Sequence, residues 1–203
     1  MKIFCVGRNY AEHAKELNNE IPSEPVIFLK PKSALIQPGV NFYYPEFSNE
    51  LHYEAELVLR ISKNGKYVPA YAASGYYNAI TVGIDFTARD IQQELKKKGL
   101  PWEKAKAWDN SAVIGKWVTF TPELLASPIH FSLQKNKETV QVGKAEDMIF
   151  SFNRIVSHIS QYFSLNIGDL IYTGTPAGVG ECVTADVLEG YYEKEKMFTL
   201  EIK

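Results

Sequence analysis

The sequence lacks the features of several large protein classes. It has only two cysteines, Cys5 and Cys182, without metal-type spacing, so neither a disulfide framework nor a cysteine-ligated metal is expected. Cys5 falls in an apolar run and reads as a buried thiol. No apolar stretch approaches the roughly 20 residues of a membrane-spanning helix. Charge of one sign is missing too. The 22 Lys and Arg are interspersed with 24 Asp and Glu, for a net charge of −2. That leaves no basic footprint for nucleic acid or for an anionic membrane. Met1-Lys-Ile-Phe-Cys-Val6 enters a strand pattern at once and has no signal-peptide pattern, so a cytoplasmic location is expected. No linker and no internal repeat interrupts the chain. Residues 1–203 are expected to form a single domain, long enough for a sizeable core.

The chain is 45% hydrophobic and 13% aromatic, more than a disordered chain carries. Local patterns predict strands over 3–6, 26–29, 54–61, 79–86, 116–120, 129–135, 138–143, 169–173 and 197–202. Helices are predicted over 11–18, 69–77, 88–98 and 151–163. The last has the cleanest stripe, Phe152, Ile155, Val156, Ile159 and Phe163, with Ser151 as N-cap. Residues 133–140 read as a hairpin turning at Asn136-Lys137. The polar stretch 181–195 reads as surface. The pattern is mixed α and β.

Glu54 and Glu56 stand two apart in Leu51-His-Tyr-Glu-Ala-Glu-Leu-Val-Leu-Arg-Ile61. In a strand, i and i+2 share a face, so both carboxylates point one way while Leu57, Leu59 and Ile61 point the other. A divalent cation relieves their repulsion, and hard cations such as Mg²⁺ take carboxylate oxygens. A solvated strand face accommodates the pair equally well. Asp85 ends the β-branched run Ile80-Thr-Val-Gly-Ile-Asp-Phe86, just before Thr87-Ala-Arg-Asp90, whose Thr87 and Asp90 have capping-box spacing. It is a carboxylate at a strand-to-helix junction, or an ordinary turn aspartate. The helix beyond it should stop at Gly99 after Lys96-Lys97-Lys98. His13 and Glu16, i and i+3 on a helix, are either a surface pair or a histidine base held by a carboxylate.

Six motifs stand in order. They are Gly7-Arg-Asn-Tyr-x-x-His-x-x-Glu16, Phe28-Leu-Lys-Pro-x-Ser33, His52-Tyr-Glu-Ala-Glu-Leu57, Gly83-x-Asp-x-Thr-Ala-Arg-Asp90, Lys97-Lys-Gly-Leu-Pro-Trp-x-x-Ala-Lys106 and Thr173-Gly-Thr-Pro-x-Gly-Val-Gly180. Together the chain resembles the fumarylacetoacetate hydrolase family, most closely its acylpyruvate hydrolase and oxaloacetate decarboxylase branch. The resemblance implies a strand-rich α+β fold, a mixed β-sandwich or β-roll with peripheral helices, and a homodimer. It implies Glu54, Glu56 and Asp85 as ligands of Mg²⁺ or Mn²⁺, with Ca²⁺ able to substitute. His13 and Glu16 match the catalytic dyad and Lys106 the active-site lysine. Arg8, Arg89, Gln92 and Thr175 match positions around the substrate. Two departures, Ala107-Trp108-Asp109-Asn110 and Ala177, fall near the substrate and leave the acyl group open. The loop 173–180 has neither the lysine nor the spacing of a P-loop and is expected to bring backbone N–H groups near the metal.

The implied activity is metal-dependent cleavage of the C–C bond of acylpyruvates (2,4-dioxo acids) to pyruvate and a carboxylic acid. Oxaloacetate decarboxylation or tautomerisation is open to the same site, because both reach the same enolate. The alternatives are an isomerase, hydratase or decarboxylase of aromatic degradation, and a non-catalytic metabolite-binding protein. The substrate is expected to be a small 2-oxo acid. Residues 10–22 are expected to act as a lid, since a helix this short is marginal without tertiary support.

Overall fold

The computed structural model describes all residues except 17–19, 38–39, 122–123 and 125–126. Strands β1 (Ile3–Gly7), β2 (Val26–Lys30), β3 (Leu51–Tyr53), β4 (Ala55–Ile61) and β5 (Tyr77–Asp85) build the first half. Helix α1 (Ala11–Glu16) lies between β1 and β2; after β5 come β6 (Thr87–Ala88), helices α2 (Arg89–Lys98) and α3 (Glu103–Lys106), and strands β7 (Ala112–Ile114) and β8 (Val118–Thr119). The second half contains β9 (His130–Lys135), β10 (Glu138–Lys144), α4 (Phe152–Tyr162), β11 (Leu170–Tyr172), β12 (Gly180–Glu181), β13 (Val187–Tyr192) and β14 (Glu195–Glu201). The result is the expected strand-rich α+β architecture with few, peripheral helices.

A seven-stranded sheet runs β2-β1-β11-β4-β5-β7, with β8 also on β5. Among the paired strands of this sheet, β1–β11 is parallel and the others are antiparallel. A four-stranded antiparallel sheet, β10-β9-β13-β14, and a small sheet, β12-β3-β6, complete the sandwich. In β4, Leu57, Leu59 and Ile61 enter the main core with Ile80, Val82 and Ile84 of β5, while Val58 enters a second cluster with Ile3, Cys5 and Tyr172. Both sheet faces are therefore covered along the middle of these strands, and Glu56, Thr81 and Asp85 are buried there. Cys5 is fully buried, as its apolar run suggested.

Helix α4 buries Phe152, Ile155, Val156 and Ile159, and Ser151 Oγ caps it by accepting from Arg154 N. Asn136 and Lys137 both have positive φ, 53° and 72°, the two left-handed residues of a type I′ hairpin turn between β9 and β10. Helix α2 ends at Gly99 with φ 64°.

Four readings change. Residues 70–76 form a 3₁₀ helix after Pro69, not the predicted α-helix, and Ala73 is their only buried residue. The predicted strand 54–61 is β4, but the longer segment 51–61, which reads as one half-buried strand, is two strands in two sheets, broken at Glu54. Thr87 does not cap α2. It lies in β6, and Ala88 is the N-cap; Asp90 instead accepts from Ser48 Oγ, Asn49 N and Ile91 N. The stretch 181–195 is not merely surface, because β13 is a central strand that buries Leu188 and Tyr192. Residues 17 and 18 of the predicted helix 11–18 lie outside the described residues, as do 17–19 of the expected lid. Among the described residues, no helix is long and apolar enough to cross a membrane.

Candidate metal and proton-transfer site

The carboxylates converge through strand register. In the antiparallel pair β4–β5, Glu56 stands opposite Gly83 and Ala55 opposite Ile84. Asp85 is two residues from Gly83, so it shares the face of Glu56, one diagonal away. The pairing continues past the strand break, where Asp85 N donates to Glu54 O at 2.9 Å. The chain turns into β3 at that point, and the turn brings Glu54 over the same spot. One oxygen from each of Glu54, Glu56 and Asp85 lies within 4.8 Å of the other two, and all three residues are buried.

The three carboxylates differ in their partners. Glu54 is paired on both oxygens, with Arg89 NH2 at 2.5 Å and Lys106 Nζ at 2.7 Å. Burial pushes its carboxyl up, but Lys106 and Arg89 overcome this and hold it well below the usual range. Asp85 Oδ2 accepts from Lys106 Nζ at 2.7 Å. Its Oδ1 is 2.7 Å from Lys30 Nζ, an ion-pair contact in which no N–H is aligned for a hydrogen bond. Glu56 has no ion pair among the described residues. Its Oε2 accepts from Gly174 N at 2.7 Å. Burial, then Asp85, push its carboxyl well above the ordinary value, with Gly174 N–H opposing them. Gly174 has φ 105°, and a Cβ there would sit 2.6 Å from Asn9 Cβ, so only glycine presents this N–H.

These features fit a divalent cation. Three buried oxygens converge, Glu56 resists ionisation because it is buried beside Asp85 and Glu54, and Asp85 Oδ1 lacks an aligned donor. All are hard oxygen ligands of the kind Mg²⁺ and Mn²⁺ take. Within the structure the Lys106 ammonium holds Glu54 and Asp85 together. Burial pulls its pKa down, but Asp85 and Glu54 outweigh that and push it up to about 12.

The other expected residues line the same cleft: Arg8, His13, Arg89, Gln92, Lys106 and Thr175. The cavity between these side chains is about 40 Å³. His13 is 5% exposed, and its Nδ1 lies 3.2 Å from Glu16 Oε2. The other oxygen of Glu16 accepts from Gly178 N at 3.1 Å, which ties α1 to the 173–180 loop. Arg89 is held by Glu54, by Gln92 Oε1 at 2.6 Å and by His52 Nδ1 at 3.3 Å. Burial, then the Arg89 charge, lower the His52 pKa, which suits an acceptor imidazole.

Sequence reasoning missed three supporting residues. Lys30, 1% exposed, donates to Ser111 O and Oγ, to Phe86 O and to Lys106 O, and so fixes both Asp85 and the backbone under Lys106. Its signal was a lone lysine ending the apolar run Val26-Ile-Phe-Leu-Lys30. Asn9 donates to Phe150 O and Thr173 O and accepts from Phe150 N. Gln141 accepts from Ala55 N and donates to Thr175 Oγ1 and Pro176 O, bracing the strand break against the loop.

Comparison with known proteins agrees with this geometry. Residues 2–201 match the family described as fumarylacetoacetate (FAA) hydrolase, C-terminal. The chain belongs to the fumarylacetoacetate hydrolase family. It is 42% identical over 189 residues to the mouse protein named oxaloacetate tautomerase FAHD1, mitochondrial, covering 92% of this chain and 85% of that one. The Arabidopsis thaliana protein of the same name is 44% identical over 183 residues, 88% and 80% of the two chains. Among family structures, fumarylpyruvate hydrolase from Pseudomonas aeruginosa in complex with Mn²⁺ and pyruvate superposes with a TM-score of 0.91. It shares 33% identity over all of this chain and 89% of that chain.

Proposed function

We propose that this family member is a divalent-metal-dependent enzyme of small 2-oxo acids, which moves a proton at the carbon next to the 2-oxo group. The supporting observation is that His13, buried and paired to Glu16, opens on the same cleft as the three convergent carboxylates and Lys106. The named relatives supply the reaction the reading favours, keto–enol tautomerisation of oxaloacetate. Glu54, Glu56 and Asp85 would hold Mg²⁺ or Mn²⁺, which when bound supplies Lewis acidity toward the 2-oxo carbonyl.

The chain's own residues carry the rest. Glu16 orients His13, whose other ring nitrogen takes the proton from C3 of the keto acid and delivers it to the enolate oxygen, giving the enol; the reverse transfer gives the keto form. Lys106 Nζ, held between Glu54 and Asp85, places a cation beside the enolate oxygen, and its aim is preset by those two contacts. Arg89, braced on three sides, and Thr175 bind the substrate's polar edge. Trp102 and Phe28 wall off bulk water.

Hydrolysis of acylpyruvates is the second reading, favoured by the likeness to fumarylpyruvate hydrolase. In it His13 takes its proton from a water that attacks the distal carbonyl, and pyruvate leaves as its enolate. Oxaloacetate decarboxylation reaches that enolate without the water. The homodimer and cytoplasmic location that the sequence suggests belong to the same proposal; light scattering and fractionation check them.

Two assays with Mg²⁺ test it. One follows conversion of enol- to keto-oxaloacetate above the spontaneous rate, the other pyruvate release from acetylpyruvate. Tautomerisation without hydrolysis supports the first reading, and fast pyruvate release supports the second. No turnover of either, with or without metal, refutes both.

A further inference from the structure

Two cations of the cleft have no anionic partner among the described residues. Arg8 follows β1 in a left-handed backbone conformation, φ 59°. Lys96 is on the last turn of α2, and its Nζ lies 5.6 Å from the Trp102 ring centroid, so the ring steers its stem toward the cleft. Arg89 and Lys106, in contrast, already have anionic partners, Arg89 in Glu54 and Lys106 in Glu54 and Asp85. Burial first, then the Arg89 and Arg8 charges, lower the Lys96 pKa to about 8 against the opposing effect of Glu54, so the Lys96 ammonium is held near other cations without an ion pair of its own. A lysine in solvent would turn away from two guanidinium groups.

The charge balance has the same sense. Arg8, Arg89, Lys96 and Lys106 line the cleft and Lys30 pairs with Asp85 at its base, five cations against the three carboxylates Glu54, Glu56 and Asp85, an excess of positive charge that a divalent ion would increase. A monocarboxylic 2-oxo acid brings two negative charges as its enolate; a dicarboxylic one brings three. We propose that Arg8 and Lys96 form a second anion site in this cleft, which receives the distal carboxylate of a four-carbon dicarboxylic 2-oxo acid and makes Lys96 a specificity-determining residue. The inference rests on the proposed function and narrows its substrate class. A four-carbon chain bound at both ends would hold its C3 between the two sites, on the cleft that His13 lines.

Binding of unreactive ligands tests this apart from turnover. Oxalate can occupy only the proximal end; malate adds a distal carboxylate, and lactate is malate without it. With the Mg²⁺-loaded full chain, calorimetry is expected to show malate binding at least 10-fold tighter than lactate. Lys96→Gln should weaken malate about 10- to 100-fold, the range for one charge-assisted contact. The ratio of malate to oxalate affinity should fall by a similar factor, as should the ratio of oxaloacetate to acetylpyruvate kcat/KM. Lys96→Arg should restore much of each ratio. Equal loss of oxalate and malate, or malate no tighter than lactate in the wild type, overturns the distal site while leaving the proposed function standing. Failure of the wild type to bind oxalate at all, with no turnover, overturns the function and the distal site together.

Discussion

Glu56→Gln separates the metal-site account from a purely structural carboxylate cluster. Glu56 is buried beside Asp85 and Glu54 and receives one backbone N–H in place of an ion pair. Its folded pKa is raised, so the metal-free protein holds a proton there that the unfolded chain gives up from about 4.5, the ordinary glutamate value. Stability of the metal-free protein should therefore decline as pH rises from 4.5 toward the folded pKa, because the unfolded state binds fewer protons in that window. Glutamine, of the same size and uncharged, removes this slope. A divalent ion needs the carboxylate, so binding must expel the proton. The affinity should rise about tenfold per pH unit below the Glu56 pKa and level off above it. At 100 times its Kd, the ion stabilises the wild type by about 2.7 kcal/mol, a rise in Tm of roughly 5–11 °C for a chain of this size. Glu56→Gln should lose most of that rise while being, metal-free at neutral pH, more stable than the metal-free wild type. Calorimetry in two buffers of different ionisation enthalpy counts the released proton, which for the wild type should rise toward one as the pH is lowered below the Glu56 pKa and for the variant should stay near zero. A full Tm rise and full proton release in Glu56→Gln would refute the reasoning.

Three further outcomes follow from the geometry. His13→Ala should lower oxaloacetate tautomerisation about 10²–10⁴-fold, the scale for loss of a general base, with Mg²⁺ affinity unchanged by calorimetry; an unchanged rate would remove His13 from the proton path. Lys30→Met leaves the buried Asp85 without its second cation and should cost about 3–5 kcal/mol in urea unfolding of the metal-free protein, less when metal is bound; a cost under 1 kcal/mol would show that Lys30 does not hold Asp85. Amides of residues 10–22 should gain hydrogen-exchange protection when Mg²⁺ and oxalate bind, and strong protection already present without ligand would mean a preformed site and no lid.

The legible part of the site was the part that period-two geometry controls. Glu54 and Glu56 two apart, and Asp85 at the end of a β-branched run, were readable because both segments had to be strands with one face in the core. The crossing of the chain from one sheet to another at Glu54 was not, since Leu51-His-Tyr and Ala-Glu-Leu-Val look like one continuous strand. The break depends on Gln141, 86 residues away, receiving Ala55 N. Lys30 and Lys106 were obscure for a related reason: a lysine's burial is decided by carboxylates distant in sequence. Lys106 and the substrate positions came from the family resemblance, not from local pattern. Strand β13 was hidden by Glu189 and Gly190 in a polar neighbourhood, where pairing with β9 and β14 overrode weak local propensity. The 3₁₀ segment 70–76 read as a helix because alanines dominate it, yet Pro69 and Gly75 bound a turn that buries too little to support an α-helix.

The central claim is that Glu54, Glu56 and Asp85 hold a divalent ion on which a 2-oxo acid sits within reach of His13. Anomalous diffraction from crystals grown with Mn²⁺ and oxalate tests it most directly. The account predicts one strong peak bonded by an oxygen of each of the three carboxylates and by oxalate, with His13 facing the ligand. A peak elsewhere, or none at these carboxylates with Lys106 still bridging Glu54 and Asp85, would contradict it.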